Sequence, residues 1–508
     1  MEFNKTETVV KSYKTLFESN SEQSVDTDFT LPDYYPEVTK VLKVLPEINI
    51  LSSQCSESGV SVGGQVVLTL LYCGSDEEPC SFTHIYPFTK TIEAKDVLYG
   101  TVYVEPRVGY MNTKAVAPRK IEVHGSLALC VTVSGINDCA VLSSTDCEGI
   151  YLKTKQCESV QLCETVSKSI FIEDEIQIPQ TKPTVGKILR NTAAATITEC
   201  KFVSGKTVVK GDLDIEILYC PPQNGRPILI TERRGFSQIL DCILDTDSVD
   251  YDCSVRVESL ELHPKTALDG EVRNIGLEAR IGLTVTPFCI ADNTVVTDAF
   301  SGKYIADVKY GEINTETLCD KIHESFVCKK RLDFGDALDD IYDLWCKAYV
   351  DHSAKDKDDL LIKGSVNICI LGTDSEAKPV FFERPIDFEH RFKIGDSCGN
   401  VRARPQIGVA AVSFSKGQDG SVDVSVELRT DATVFAVRSE KAVITVSVDF
   451  DNTVIKDSET AIILYYPENE TVWDIAHKYN TDPKKICEAN GVEDSETVCN
   501  SIMLIPNV

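Results

Sequence analysis

Residues Gly64–Cys73 read Gly-Gln-Val-Val-Leu-Thr-Leu-Leu-Tyr-Cys, a stretch in which every second residue from Val66 to Leu70 is apolar. A period of two is typical of an antiparallel strand with one buried face. Residues 211–220 repeat the pattern as Gly-Asp-Leu-Asp-Ile-Glu-Ile-Leu-Tyr-Cys, and residues 364–371 repeat it more loosely. The sequence therefore predicts the same half-buried strand in three places.

Other landmarks recur at nearly the same distances along the chain. The strand pattern returns after 147 and then 153 residues, and Pro36 returns as Pro183 after 147. Phe88, Phe236 and Phe388 follow the three strands at spacings of 148 and 152. Agreement at separate landmarks predicts three homologous β repeats.

Two kinds of short segment show helical spacing. Pro36 and Pro183 suit the first position of a helix, and the apolar residues of Val38–Leu42 and Val185–Leu189 follow at helical intervals. The acidic run Asp336–Asp343 also has helical spacing and lacks the glycine of a calcium-binding loop. The sequence predicts one short helix per repeat and a solvated helix face at the acidic run.

The expected fold is mainly β, with three tandem β-sandwich-like repeats followed by a small βααβ module, and a barrel remains the alternative. The expected domains are residues 1–137 for repeat 1, 138–290 for a connector and repeat 2, 291–458 for a connector and a divergent repeat 3, and 459–508 for the last module. The connectors contain apolar residues such as Ile150, Tyr151 and Leu152, so we expect extra strands docked on the repeats.

The net charge and the apolar runs of the sequence limit the partners and surfaces that the protein can bind. The 508 residues carry a net charge of −28, which disfavours nucleic acid and anionic membrane surfaces. Apolar runs are far shorter than the roughly 18 residues of a membrane helix. The start of the chain shows no secretory signal, so we expect synthesis in the cytoplasm.

We expect most of the 20 cysteines to be free thiols, with cross-linking in a late assembly as the alternative.

The residue patterns of catalysis are missing from the sequence. The seven histidines are scattered, with no pair at metal-ligand spacing, and neither a Gly-x-Ser-x-Gly elbow nor a phosphate-binding loop occurs. We therefore expect a protein that is not an enzyme and that has no cofactor, no metal and no catalytic residues.

The last forty-odd residues predict a strand, two helices and a second strand. Asp482 and Pro483 form a helix start, and Asn490-Gly491 a helix stop. Residues 471–476 (Thr-Val-Trp-Asp-Ile-Ala), 478–480 (Lys-Tyr-Asn), 486–490 (Ile-Cys-Glu-Ala-Asn) and 504–506 (Leu-Ile-Pro) resemble a LysM module over its whole length. We interpret Trp473 as a core residue rather than a sugar platform, and His477 as a surface or packing residue.

The LysM resemblance implies binding of N-acetylglucosamine-containing glycans between two loops, here residues 467–471 and 491–500. The candidate ligand or partner residues in these loops are Asn469, Glu470, Thr471, Gly491, Val492, Glu493 and Asp494. The family usually has Gly-Asp-Thr where this chain has Asn-Glu-Thr at 469–471. The module is also acidic, with eight Asp or Glu against three Lys. An acidic rim with Val492 at its centre makes a protein partner an alternative to a glycan.

Three β repeats followed by one LysM module resemble the SPOCS-domain and LysM spore coat morphogenesis proteins, the SipL-like family. The resemblance implies a non-enzymatic scaffold or adaptor in spore envelope (coat) assembly, located in the mother-cell cytoplasm at the forespore surface and in the spore coat. It also implies that the LysM module docks onto the ATPase that forms the basement layer of the coat. The alternative is a cell-wall protein that binds peptidoglycan or another N-acetylglucosamine glycan.

Overall fold

The computed structural model describes residues 4–75, 77–95, 97, 99–162, 165–203, 205–222, 225–241, 250–268, 270–395, 399–417, 419–455 and 461–506. Strands dominate this part of the chain, and α-helices occur only in the C-terminal module. The sheets remain open, so the mainly β fold is confirmed and the barrel alternative is not adopted. Within the described residues, no helix is both long and apolar enough to cross a membrane.

Repeat 1 is a β-sandwich. Its strands are β1 (Lys5–Thr30), β2 (Lys40–Ser56), β3 (Gly59–Cys73), β4 (Pro79–Ile92), β5 (Thr101–Ala117) and β6 (Lys120–Thr145). One sheet has the order β2-β3-β4 and the other has the order β1-β6-β5. Leu68 and Leu70 from the first sheet share a buried core with Val123 and Leu129 from the second. The alternation in the sequence therefore identified the core-facing side of β3.

Repeat 2 has the same arrangement with one strand divided. Its strands are β7 (Ile150–Leu162), β8 (Val166–Gln177), β9 (Lys187–Val203), β10 (Lys206–Cys220), β11 (Ile228–Asp241), β12 (Asp250–Thr266) and β13 (Val272–Ser301). The first sheet has the order β9-β10-β11, and β13 pairs with β12, β8 and β7 in the second. Leu213 and Ile215 pack against Ile281 and Leu283 in the core.

Repeat 3 follows the same plan despite its divergent sequence. Its elements are β14 (Tyr304–Asp333), a 3₁₀ turn (Gly335–Ala337), β15 (Asp340–Asp356), β16 (Asp359–Thr373), β17 (Pro379–Lys393), β18 (Asn400–Ala403), β19 (Gln406–Lys416) and β20 (Ser421–Thr453). The sheets have the orders β15-β16-β17 and β14-β20-β18, with β19 also paired to β20.

A glycine and a phenylalanine face each other across the first sheet of every repeat. The pairs are Gly64 with Phe88, Gly211 with Phe236, and Gly364 with Phe388. Each ring covers its glycine so closely that a Cβ atom would clash; at Gly64 that atom would lie 2.9 Å from the ring of Phe88. The landmarks that recur in the sequence therefore correspond to one repeated contact, which confirms the alignment of the three repeats.

The helices predicted at Val38–Leu42 and Val185–Leu189 are wrong. Lys40 and Lys187 already begin β2 and β9, and the residues just before them are not helical. The Tyr219 hydroxyl donates a hydrogen bond to the carbonyl of Pro183, which precedes the second segment (2.8 Å). A β-bulge places Leu42 between the paired residues Val41 and Lys43. Because a bulge adds one residue to the two-residue period, it produced an apolar spacing similar to that of a helix.

The bulge occurs at the same place in all three repeats, with Leu42, Leu189 and Tyr342 as the extra residues. All three side chains contribute to one apolar cluster shared by the three repeats, which we call the central cluster. Its other members are Leu45, Leu218, Cys220, Leu229, Trp345, Cys369, Leu371 and Phe381. The bulge therefore directs one side chain from each repeat towards the other two.

Polar contacts join the three sandwiches into a ring. Repeat 1 meets repeat 2 where Ser81 donates a hydrogen bond to the Ile188 carbonyl (2.6 Å). Repeat 2 meets repeat 3 through Arg226 and Asp340 (3.0 Å). Repeat 3 returns to repeat 1 through an ion pair of Lys43 and Glu383. We call this arrangement the ring.

The solvated helix face predicted for Asp336–Asp343 is also wrong. Only a single 3₁₀ turn forms there, and β15 begins at Asp340. The side chain of Asp343 is buried in an ion pair with Arg190 rather than exposed to solvent. The aspartates of the run differ in exposure, because Asp336 and Asp339 face solvent whereas Asp343 faces repeat 2.

The long strands leave the sandwiches as three two-stranded ribbons, formed by residues 5–15 with 135–145, 150–162 with 288–301, and 304–318 with 435–453. They pack together through a shared apolar core that includes Val141, Val295 and Ile313. We call these packed ribbons the stalk. The connectors therefore supply strands that dock mainly on one another. The expected boundaries at 137/138 and 290/291 fall inside β6 and β13, and the boundary at 458/459 lies outside the described residues. The domain division stays a prediction.

The C-terminal module has the predicted βααβ order, with one further two-residue strand on each side of the helices. Its elements are β21 (Ile462–Tyr465), β22 (Glu470–Thr471), α1 (Val472–Tyr479), α2 (Pro483–Asn490), β23 (Val498–Cys499) and β24 (Met503–Pro506). Thr471 and Asp474 form a capping box at the start of α1, and Asp482 caps α2. Gly491 ends α2 with a φ of +66°, in the left-handed region that favours glycine.

Most described cysteines are free thiols, as expected. Sixteen of them carry no disulfide, whereas Cys319 is disulfide-bonded. Cys163, Cys242 and Cys398 lie outside the described residues.

Candidate functional site

The core of the LysM module contains a residue from repeat 2. Phe300, at the end of β13, is 4% exposed and packs among Trp473, Ile475 and Met503. Its ring meets Trp473 edge-on at 5.1 Å and stacks on His477 at 4.9 Å. Because Phe300 fills the module's own core, the module is held on the stalk by burial of apolar surface.

A carboxylate beside Phe300 fixes the orientation of the module. Asp298 accepts hydrogen bonds from the Trp473 indole N–H (2.8 Å) and the Tyr310 hydroxyl (2.6 Å), and His477 lies 3.2 Å away. Burial alone would raise the pKa of Asp298, but these hydrogen bonds outweigh burial and lower it. Asp298 therefore remains a carboxylate that joins α1 to the stalk.

The interpretation of Trp473 as a core residue agrees with its burial, since only 4% of it is exposed. His477 has a packing role, because it stacks on Phe300 while 45% of its side chain stays exposed. Neither residue provides a flat exposed ring for a sugar.

In the first loop, the predicted site residues mainly stabilise the conformation of the loop itself. Asn469 has a φ of +59°, which places the left-handed conformation where the family usually has glycine. Glu470 accepts a hydrogen bond from Tyr465 and lies 3.6 Å from Lys478. Thr471 caps α1. These three residues therefore shape the loop rather than project freely from it.

The second loop crosses the start of α1. The Trp473 backbone N–H donates to the Ser495 carbonyl (2.9 Å), and the Val492 N–H donates to Cys487 (3.0 Å). Val492 is half-buried against the module core, whereas Glu493 and Asp494 are exposed. This loop therefore presents two carboxylates beside one apolar side chain.

A groove of about 710 Å³ separates the second loop and α2 from the first residues of β7. We call it the LysM–ribbon groove. Its lining residues are Ile150, Tyr151, Leu152, Trp473, Asp482, Pro483, Lys484, Cys487, Glu488, Gly491, Val492, Glu493, Asp494 and Ser495. This volume lies within the range of about 300–1,000 Å³ that is typical of ligand sites.

The structure brings together only part of the predicted site. Gly491, Val492, Glu493 and Asp494 line the groove, whereas Asn469, Glu470 and Thr471 are not among its lining residues. The sequence interpretation missed the opposite wall, Ile150–Leu152. The signal available was an apolar run within an otherwise polar connector. It did not show that this run lies beside a module more than 300 residues away.

One group of side chains elsewhere has the geometry to hold a cation. Glu261, His263 and Glu278 lie on neighbouring strands of repeat 2, and their ligand atoms are within 4.8 Å of one another. All three residues are exposed, and exposed acidic groups of this kind are common without a metal. We assign no function to this group.

Comparison with protein families identifies the modules. Residues 37–116 and 184–265 match the family model described as SipL, SPOCS domain, and residues 468–496 match the LysM domain. The chain therefore carries SPOCS and LysM domains, which confirms the resemblance to SipL-like SPOCS/LysM proteins. No curated protein and no solved structure matches the chain.

The SPOCS matches coincide with a definite structural unit. They cover β2–β5 in repeat 1 and β9–β12 in repeat 2, which is one whole sheet and one strand of the other. In repeat 3 the same unit comprises β15–β19 and follows the same pairing. SPOCS and LysM are non-catalytic domain families, and together they indicate a sporulation-related protein with a peptidoglycan-binding type of module.

Proposed function

We propose that this protein is a non-enzymatic scaffold or adaptor in assembly of the spore coat, and that its LysM module docks onto the coat basement-layer ATPase. The observation that carries the proposal is the insertion of Phe300 into the LysM core on a chain that also has SPOCS domains. A module fixed in this way has a defined orientation relative to the ring, as an adaptor between two layers requires.

Charge supports a protein partner for the module. Glu488, Glu493 and Asp494 are exposed around the half-buried Val492. Protein interfaces have a polar rim around an apolar centre, and charges that are complementary to those of the partner speed association and set specificity. A partner with a basic surface fits this rim.

Binding of peptidoglycan or another N-acetylglucosamine glycan is the second candidate function. It is favoured by the LysM match and by the half-buried ring of Tyr151 at the LysM–ribbon groove. In that case the protein would act at the cell wall.

The experiment that separates the two candidates is the localisation of a fluorescent fusion during sporulation. An adaptor in coat assembly lies in the mother-cell cytoplasm and forms a shell around the forespore. Labelling of the septum or lateral wall supports the cell-wall candidate and contradicts the proposal. In a parallel assay, we expect the purified chain to release no fragments from peptidoglycan. Release that is abolished by one substitution would show an enzyme.

A further inference from the structure

We infer that the LysM–ribbon groove binds an extended basic segment of a protein, with an apolar side chain seated between β7 and the second LysM loop. The inference rests on the proposed adaptor function and names the chemistry of the segment that its partner presents. It also makes the docking site composite, because one wall belongs to repeat 2 and the other to the LysM module.

The walls of the groove come from different parts of the chain. Ile150, Tyr151 and Leu152 form one wall, and Pro483 and Val492 belong to the other. These walls are held together by contacts outside the groove, including the ion pair of Lys153 with Glu496 (2.9 Å). A LysM module removed from the stalk would therefore lack half of the site.

Both walls of the groove offer apolar surface to an apolar side chain. Ile150, Leu152 and Val492 are half-buried, so part of each remains open to a ligand. The ring of Tyr151 packs against Phe300 at 5.1 Å, which fixes its position. An aromatic ring held in place can also accept a cation over its face.

The charge of the groove favours a cation. Its lining includes Asp482, Glu488, Glu493 and Asp494, with Lys484 as its one basic residue. Asp482 and Asp494 accept backbone hydrogen bonds from Lys484 and Glu496 at 2.9 and 3.2 Å.

Two of the carboxylates are available to a ligand. Among the described residues, Glu488 and Glu493 have no ion-pair partner, and both side chains are exposed. A lysine or arginine of a partner would pair with them, and the attraction would weaken as salt increases. A neutral sugar can donate hydrogen bonds to these carboxylates but has no charge to pair with them, so its binding would depend little on salt.

The probe is a displayed library of random nine-residue peptides, panned on the full chain. We expect the selected peptides to be enriched in Lys or Arg next to Leu, Ile or Phe. The strongest binder is then synthesised, together with a version in which Gln replaces each basic residue. The basic peptide should bind, and its affinity should fall between low and high salt.

Two charge-reversal variants on the LysM loops locate the peptide. Glu493→Lys lies in the groove, and Glu468→Lys is the matched control, because it is an exposed glutamate of the first loop outside the groove. We expect Glu493→Lys to weaken binding roughly three- to tenfold. Glu468→Lys should leave it within about twofold. Ile150→Ala, on the ribbon wall, should also weaken binding.

Several results would overturn the inference. They are selection of no basic peptide, equal binding by Glu493→Lys and Glu468→Lys, or displacement of the peptide by tetra-N-acetylglucosamine at lower concentration than by a second basic peptide. These results concern only the binding of peptides to the groove, and they do not depend on whether the natural partner is the ATPase. Peptide binding without any ATPase binding would contradict the adaptor proposal alone.

Discussion

Arg190 and Asp343 occupy equivalent positions in repeats 2 and 3, and they form a buried ion pair next to the central cluster. Each residue follows the bulge in its strand, and they pair in register with Leu218 and Leu371. The guanidinium contacts one carboxylate oxygen at 2.7 and 2.9 Å and lies 4.5 Å from the ring of Trp345.

The equivalent position in repeat 1 is Lys43, which pairs with Glu383 of repeat 3. Three identical subunits would place three identical charges here, and like charges in a buried position repel strongly. A single chain with three divergent repeats can instead hold two cations and compensating carboxylates. These two ion pairs therefore favour one order of the three repeats in the ring.

The first prediction concerns the stability of the buried pair. Burial raises the pKa of Asp343, and Arg190 offsets only part of that rise, so the desolvation cost is large. We expect Arg190→Met alone to lower the free energy of unfolding by about 3–5 kcal/mol, because it leaves the buried Asp343 carboxylate without its partner. Asp343→Leu should cost less, because Arg190 keeps its ion pair with Glu216 (3.0 Å).

The double variant is the control. With both charges replaced by apolar side chains, most of the lost stability should return, and the cycle is measured by urea unfolding. If the decreases in the free energy of unfolding of the two single variants simply add in the double variant, the pair does not couple the two repeats.

The second prediction concerns the glycine that each phenylalanine covers. A Cβ atom at Gly211 would clash with the Thr196 carbonyl and the Phe236 ring. We expect Gly211→Ala to destabilise the protein by about 1–3 kcal/mol through overpacking. Gly408→Ala is the matched control, since no atom lies within 4 Å of its Cβ position and its effect should stay within about 0.5 kcal/mol. Equal thermal shifts for the two variants would contradict the proposed contact.

The third prediction concerns the joint between the stalk and the LysM module. Removal of the Phe300 ring should cost about 3–5 kcal/mol, as for other buried phenylalanines, and it should loosen the LysM module. Trp473 fluorescence reports the joint in a Trp345→Phe background, since the chain has only two tryptophans. Phe171→Ala, whose side chain is 71% exposed, is the control. An unchanged Trp473 spectrum in Phe300→Ala would contradict the insertion of Phe300.

The fourth prediction concerns pH. The pKa of Asp298 is lower in the folded protein than its unfolded value of about 3.9. Its carboxylate therefore contributes stability above that pH and loses the contribution as the pH falls through the folded pKa. We expect the Trp473 signal to change on acidification below about pH 4 and expect this dependence to be weaker in Asp298→Asn. The same acid transition in both proteins would exclude Asp298 as its cause.

The sequence predicted the strands well, because alternation such as that of Leu213, Ile215 and Ile217 depends only on which face of a sheet is buried. It failed where a bulge interrupted that period, as at Leu42. The ring was not predictable, since its contacts join single residues such as Lys43 and Glu383 that lie 340 positions apart. Nothing in a local pattern indicates such a pairing.

The candidate site was predicted to a similar degree. The LysM motif located both loops, because capping residues such as Thr471 and Gly491 have strong local preferences. It did not reveal Phe300 or Ile150–Leu152, whose role depends on how the module packs against the stalk. The sequence therefore predicted the LysM wall of the groove, whereas the wall formed by β7 became evident only from the fold.

The most direct test of the adaptor function measures binding of the full chain to two candidate ligands. One is the polymerised coat basement-layer ATPase of the same organism, and the other is tetra-N-acetylglucosamine. The full chain is required because Phe300 and Ile150 belong to repeat 2. We expect micromolar or tighter binding to the ATPase, weakened by salt, and weaker binding to the sugar. Micromolar binding to the oligosaccharide with no detectable binding to the ATPase would contradict the adaptor function.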